Sequence, residues 1–233
     1  MAEKGLSFAD RRANARANSG KLQARAEAAG NDLAWFDELY QAAGDDPAGV
    51  PWADLEPHPG LAEWIGRSGM LYEGRAIDIG CGLGDNAEAL SDAGYDVTAF
   101  DLSPTAIAWA KQRFDRTRVD YRAADLFALP DEWAGAFDLV HECYTLQALK
   151  HDFRKKAFGA IAALVAPGGS LLVICRSRPD NVEVDGPPWP LSRAELAAFE
   201  SFGLTEKGFQ EFTVDRPDRS IPHFRVMYTR SKS

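Results

Sequence analysis

From Arg75 onward, short apolar runs alternate with stretches of helical spacing, and this alternation restricts the possible folds more than any other feature of the chain. The runs are Arg75–Ile79, Asp96–Asp101, Val119–Ala123, Phe137–Cys143 and Ser170–Cys175, with helical patterns near Asp85–Ala93, Pro104–Phe114 and Phe153–Val165 between them. Strands separated by helices of this length imply βαβ units and a parallel sheet covered by helices on both faces. A helix is expected from Ser192 through Phe202. Two further strand-like runs, Thr205–Val214 and His223–Arg230, follow across a short polar connection and should pair antiparallel at one sheet edge. A length of 233 residues suits one α/β domain with a modest extension, and no internal repeat is present.

That extension is expected over residues 1–70, as a helical arm or lid of the same domain, with residues 71–233 forming the main body. Residues 1–30 carry Arg11, Arg12, Arg16, Lys21 and Arg25 but few apolar side chains larger than alanine, which predicts a solvated helix or a mobile arm. A transit peptide is the lesser reading. The run LAWFDELY from Leu33 is apolar at helical spacing, a Pro/Gly/Asp-rich stretch covers Asp45–Gly60, and Leu61–Met70 reads as a helix.

The formal charge of −9, from 26 basic and 35 acidic residues, disfavours a nucleic-acid partner. No apolar run approaches the roughly 18 residues that a membrane span requires, and the N-terminus lacks the apolar centre of a secretory signal. Cys81, Cys143 and Cys175 are odd in number and far apart, which fits a reducing cytoplasm better than a disulfide framework. His58, His151 and His223 share no spacing with acids or cysteines, so no metal site is expected.

The chemistry is concentrated in Ala76-Ile77-Asp78-Ile79-Gly80-Cys81-Gly82-Leu83-Gly84, where a strand gives way to a helix. Glycines there allow a tight turn, a close backbone approach to a ligand and a helix that starts near the strand. The helix N-terminus adds unpaired N–H donors suited to an anionic group. Asp101 ends the next strand, where a carboxylate can accept both hydroxyls of a ribose. Three features point away from NAD or a nucleotide triphosphate. The spacing is G-x-G-x-G, with Asp85 where a third glycine would fall. Asp78 would repel a pyrophosphate but suits a cationic sulfonium amino acid. No Lys-Ser/Thr follows the turn.

The string Asp78–Gly84 resembles the cofactor motif of class I S-adenosylmethionine-dependent methyltransferases. The resemblance extends to Asp101, to Asp125 in Ala123-Ala124-Asp125-Leu126, to the fourth strand Phe137-Asp138-Leu139-Val140 and to the Pro167-Gly168-Gly169 turn, covering about Arg75 to Ser177. It implies a Rossmann-like, doubly wound, mostly parallel seven-stranded sheet with helices on both faces and an antiparallel edge strand, plus the N-terminal helical extension. It also implies S-adenosylmethionine as cofactor and S-adenosylhomocysteine as product. Cofactor contacts then fall on Asp78, Gly80, Cys81, Gly82, Gly84, Asp101 and Leu102, and on Ala124, Asp125 and Leu126 near the adenine. His141 either holds the cofactor's amino group or is a satisfied structural histidine.

The acceptor is expected at the carboxyl ends of the strands. His141-Glu142-Cys143-Tyr144, the Arg176–Pro190 loop and the aromatic segment around Trp35 and Trp52 converge there. Trp189 either walls a small substrate or packs on the sheet edge. The Gly186–Leu196 ending, with Trp35 and Pro51-Trp52, is similar to the thiopurine, thiol and halide methyltransferase branch, which implies a thiol or other soft acceptor. A thiolate needs little base catalysis, whereas an alcohol needs a base. His141 and Glu142 are the candidate bases, and because neighbouring strand residues point to opposite sides at most one of them reaches the acceptor; Glu142 is favoured, with Tyr144 on the same face. O- or N-methylation of a secondary metabolite is thus the alternative, and a non-catalytic cofactor-binding protein a third reading. Cys143 lacks a partner base for a nucleophilic role. The expected partner is a small molecule, for a monomer or homodimer.

Overall fold

The computed structural model describes residues 7–67, 72–216 and 219–232. Seven strands form a single sheet: β1 (Arg75–Ile79), β2 (Asp96–Asp101), β3 (Asp120–Ala123), β4 (Phe137–Cys143), β5 (Val165–Arg176), β6 (Leu204–Arg216) and β7 (Arg219–Arg230). Their spatial order is β3-β2-β1-β4-β5-β7-β6. The pairs β1/β2, β1/β4, β2/β3 and β4/β5 are parallel, and β7 runs antiparallel between β5 and β6. This is the expected Rossmann-like topology. The strand order reverses between β1 and β4, so the crevice at their carboxyl ends is the natural ligand site of such a sheet.

Alternation along each strand divides the core between two faces. Ile77, Ile79, Val140, Leu171 and Val173 pack with Phe158, Ile161 and Phe199 on one side. Ala76, Ala99, Leu139, Leu172 and Ile174 pack with Leu61, Leu90 and Ile107 on the other. The latter face is covered by α3 (Pro59–Gly66), α4 (Asp85–Asp92) and α5 (Pro104–Arg113); the former by α7 (His151–Leu164) and a 3₁₀ turn at Ala197–Phe202. Short helices α6 (Thr145–Ala148) and α8 (Arg193–Leu196) complete the body.

Several boundaries differ from the sequence reading. β5 begins at Val165 rather than Ser170, because Val165 already pairs with Phe137 and a register shift on β4 between Phe137 and Leu139 absorbs the Pro167-Gly168-Gly169 segment, where Gly168 has φ 80°. The helix expected from Ser192 to Phe202 is one α-turn followed by 3₁₀ geometry. The helix that begins at Pro59 is described only as far as Gly66, and the stretch expected to carry it to Met70 lies outside the described residues.

The N-terminal arm is helical. The first helix, α1 (Phe8–Ala28), starts at a capping box in which Ser7 and Asp10 satisfy each other's backbone N–H groups. Because α1 has few large apolar residues, its attachment is partly ionic: Arg12 pairs with Asp54, Arg25 with Glu38 and Glu27 with Lys150. The next helix, α2 (Trp35–Ala43), is strongly amphipathic and buries Trp35, Leu39 and Tyr40 against Leu83 and Ala106. Leu83 belongs to the glycine turn, so the arm sits directly on the crevice.

Candidate active site

Two carboxylates and a glycine turn shape the floor of the crevice. Gly80 and Gly82 have φ of 61° and 52°. A side chain on Gly80 would collide with the Thr145 hydroxyl, which itself donates to the Ile79 carbonyl at 3.0 Å. One on Gly82 would lie 3.0 Å from the Tyr40 hydroxyl. These positions therefore require glycine on both conformational and steric grounds. Asp85, standing where a dinucleotide fingerprint has glycine, accepts a bidentate pair from Arg113 at 2.7 and 2.8 Å, and Arg113 also donates to the Leu83 carbonyl at 2.6 Å. The turn is locked by a guanidinium from α5.

Asp101 accepts from Gly82 N–H and Ser103 N–H, both at 2.9 Å, and burial pushes its carboxyl up to about 6. Those bonds tie β2 to the turn and leave free lone pairs on each oxygen. Asp125 accepts from Phe127 N–H at 2.9 Å and, with Leu102, Asp37 and Phe153, lines an open cavity of about 400 Å³ beneath residues 30–34. Leu126 is buried in the core, and Ala124 donates its N–H to the Asp101 carbonyl. Cys81 is half-buried, with its N–H given to Phe100.

Asp78 and His141 are register partners on β1 and β4, joined by a 2.6 Å hydrogen bond through His141 Nδ1. The other atoms of the pair, Asp78 Oδ2 and His141 Nε2, are buried without a partner. Unsatisfied buried polar atoms are costly unless a ligand completes them. Two acceptor atoms beside a glycine turn fit an ammonium donor.

Glu142 points to the opposite face. It is fully buried, accepts the Leu146 N–H at 2.9 Å as an anchor for α6, and its carboxyl is raised to about 7 by burial. Its shared face with Tyr144 does not bring the two side chains into one cluster. Tyr144 has a left-handed backbone, φ 73°, costing about 1–2 kcal/mol for a non-glycine residue. That twist turns its ring toward His58 and His223, two residues that sequence spacing left unassigned. His58 Nε2 lies 2.9 Å and His223 Nε2 lies 2.6 Å from the Tyr144 hydroxyl. The only sequence signal for His223 was its place on β7, and for His58 its place ahead of Pro59; the long-range pairing that joins them is invisible locally.

Arg176 ends β5 with its guanidinium 5.7 Å from the centre of the Tyr144 ring. Trp35 and Trp52 do not reach this cluster. They pack edge to face with each other, and Trp52 Nε1 donates to the Tyr40 hydroxyl at 2.9 Å, so both brace the cover over the turn. Trp189 is half-buried; its backbone N–H donates to the Gln147 carbonyl, and its carbonyl accepts from the buried Arg154. Among the described residues, no group of three His, Cys, Asp or Glu could hold a metal ion.

The fold is Rossmann-like, with its ligand crevice at the carboxyl ends of β1 and β4. Residues 76–169 match the family model described as a methyltransferase domain. The chain is 37% identical over 127 residues to a protein named ubiquinone biosynthesis O-methyltransferase from Bordetella avium. That match takes in 51% of this chain and 52% of the relative, so the chain spans about half the length of the curated relatives it matches. Among solved structures, it resembles one described as "Conversion of a Disulfide Bond into a Thioacetal Group during Echinomycin Biosynthesis" (TM-score 0.69, 22% identity, covering 85% of this chain and 92% of the other). It also resembles the N-methyltransferase NodS from Bradyrhizobium japonicum in complex with S-adenosylhomocysteine (TM-score 0.63, 21% identity, 83% and 96% covered). S-adenosylmethionine is the cofactor that such a domain takes, and the residues present fit it: orphan acceptors for its ammonium, a carboxylate with open lone pairs for its ribose, and a cavity beside Asp125 for its base.

Proposed function

We propose that the chain is an S-adenosylmethionine-dependent methyltransferase that methylates an oxygen of a small-molecule acceptor. The unpartnered Asp78 Oδ2 and His141 Nε2 beside the glycine turn carry the cofactor assignment. Asp78 and His141 bind the ammonium, Gly80, Cys81, Gly82 and Gly84 admit the methionine part, Asp101 and Leu102 hold the ribose, and Ala124, Asp125 and Leu126 flank the adenine. The bound cofactor supplies a methyl group on a carbon already activated by sulfonium, so the protein's contribution is alignment and exclusion of water. α2, with Trp35, Tyr40 and Trp52, performs the exclusion.

Oxygen is favoured over the thiol first read from the Trp35, Trp52 and Trp189 segments. The Trp35 and Trp52 rings pack into the cover over the glycine turn. The relatives matched over half the chain are named O-methyltransferases. Tyr144 and His223 supply the proton path that a hydroxyl needs and a thiolate does not. We place the reaction in the cytoplasm, where three free thiols stay reduced. No described helix is long and apolar enough to cross a membrane.

Titration calorimetry with S-adenosylmethionine, followed by transfer of labelled methyl to matched phenols, thiols and amines, tests both parts. Binding to the wild type that Asp101→Asn weakens by roughly 30-fold, about 2 kcal/mol for a charge-assisted hydrogen bond, is expected. Absence of binding would refute the cofactor assignment, and transfer to thiols alone would refute oxygen.

A further inference from the structure

Four elements bring polar side chains to one corner of the crevice. His58 caps α3 and is held by donation of its N–H to Asn86 Oδ1 at 2.8 Å, next to the glycine turn. Tyr144 follows β4, and Arg176 on β5 is the register partner of His223 on β7. The backbone sets both tautomers. His58 Nδ1 accepts from Gly60 N–H at 3.1 Å, so in the neutral ring Nε2 carries the proton and donates to Tyr144 Oη. His223 Nδ1 donates to the Ile221 carbonyl at 2.8 Å, so its Nε2 is bare and receives the Tyr144 proton. The chain therefore has one direction, His58 to Tyr144 to His223, and the remaining lone pair of Tyr144 Oη faces the Arg176 guanidinium, which an acceptor carboxylate would draw away.

The charge of this corner is opposite to that of the whole chain. Asp54 is shared by Arg12 and Arg216, and Arg176 has no carboxylate partner among the described residues. Arg176 Nε and Arg12 Nε and Nη2 are buried with no hydrogen-bond acceptor. Burial, then the neighbouring His223 and His141 and after them Arg216 and Arg176, depresses His58 to about 3, and burial with Arg176 and Arg216 depresses His223 to about 4. Uncompensated guanidinium donors in a chain of net charge −9 ask for an anion.

We propose that the acceptor is a hydroxy acid whose carboxylate is held by Arg176 and whose hydroxyl donates to Tyr144, with His223 as the terminal base. This rests on the methyltransferase reading above. The acceptor oxygen forms the new bond to the methyl carbon, the carbon–sulfur electron pair returns to sulfur, the hydroxyl proton passes to Tyr144 Oη, and the Tyr144 proton passes to His223 Nε2, which later releases it to water. The carboxylate also offsets the field of Arg176 and Arg216, which adds to burial in keeping His223 a poor base.

The test pairs binding with turnover. Benzoate, which lacks a hydroxyl, is titrated into the S-adenosylhomocysteine-loaded protein, and His58 and His223 are followed by NMR against pH, with Tyr144, His141, Arg176 and Arg216 as the groups facing them. Bound benzoate should raise the His223 pKa in the wild type and not in Arg176→Gln, with Arg176→Lys partly restoring it. Turnover compares 3- and 4-hydroxybenzoate and 3,4-dihydroxybenzoate with their methyl esters. The acids should lead the esters by about 50-fold in kcat/KM, and Arg176→Gln should reduce that ratio below about fivefold. His223→Gln should lower kcat on the acids by roughly 100-fold while benzoate still binds. Equal use of acids and esters, transfer confined to neutral acceptors, no transfer to any of the acids, or benzoate binding indifferent to Arg176 would each overturn the assignment while leaving the cofactor site standing. Failure of S-adenosylhomocysteine to bind would remove the methyltransferase reading beneath it.

Discussion

Glu142 and Tyr144 are two residues apart, and on an ideal strand they would share a face. The strand ends at Cys143, and the left-handed turn at Tyr144 separates their roles. Glu142 becomes a buried anchor for α6 with one oxygen unpartnered. Its carboxyl titrates near 7 when folded against an ordinary 4.5. Between those values the folded state holds more protons than the unfolded one, so this group's contribution to stability is full below about 4.5 and lost as the pH rises through about 7. Glu142→Gln should therefore raise Tm relative to wild type at pH 8 and leave the difference near zero or reversed at pH 5, which thermal melts at the two pH values would show. A Tm unchanged at pH 8 would mean that the carboxyl is ionised there without penalty.

At the scale of elements, α2 and the segment to Trp52 matter most for the cofactor. Tyr40 is buried over Gly82, fixed by the Trp52 indole, while Asp37 on the same helix accepts from Ser103 and Thr105 at the start of α5. One helix thus touches both the glycine turn and the helix after Asp101. Trp52→Ala should speed S-adenosylhomocysteine release by roughly tenfold or more, because the half-buried Trp52 ring packs on Trp35 and holds Tyr40, while the sheet stays folded by circular dichroism. α1 is tied to this cover through Arg12 and Arg25, and to the start of α7 through Glu27. Tryptic cleavage between Arg11 and Arg25 should slow when S-adenosylhomocysteine is added; an unaltered rate would uncouple α1 from the site.

For the molecule as a whole, buried titratable groups pull in opposite directions. His58 and His223 have folded pKa values below their ordinary 6.5, so their contribution is present above about 6.5 and lost as pH falls toward 4. Asp101, like Glu142, acts in the reverse sense, being raised to about 6. Filling the crevice with a cation-bearing cofactor should stabilise the ionised form of Asp101, so binding near pH 6 should release protons. Calorimetry in buffers of different ionisation enthalpy reads that number directly, and proton uptake would contradict the placement of the cofactor beside Asp101.

Local pattern was enough to expose the sheet, because strand alternation and the glycine turn are properties of neighbouring residues: all seven strand positions, the turn and Asp101 are legible in the sequence. Asp78 was legible as an acid beside the turn, though its partnership with His141 required two strands to lie side by side. The Tyr144 cluster was beyond reach for the same reason. His58 and His223 are 165 residues apart in sequence and meet only because β7 inserts beside β5 while α3 docks on α4. Periodicity reports which face a residue occupies, whereas a proton path depends on which faces are folded together, and only tertiary packing determines that.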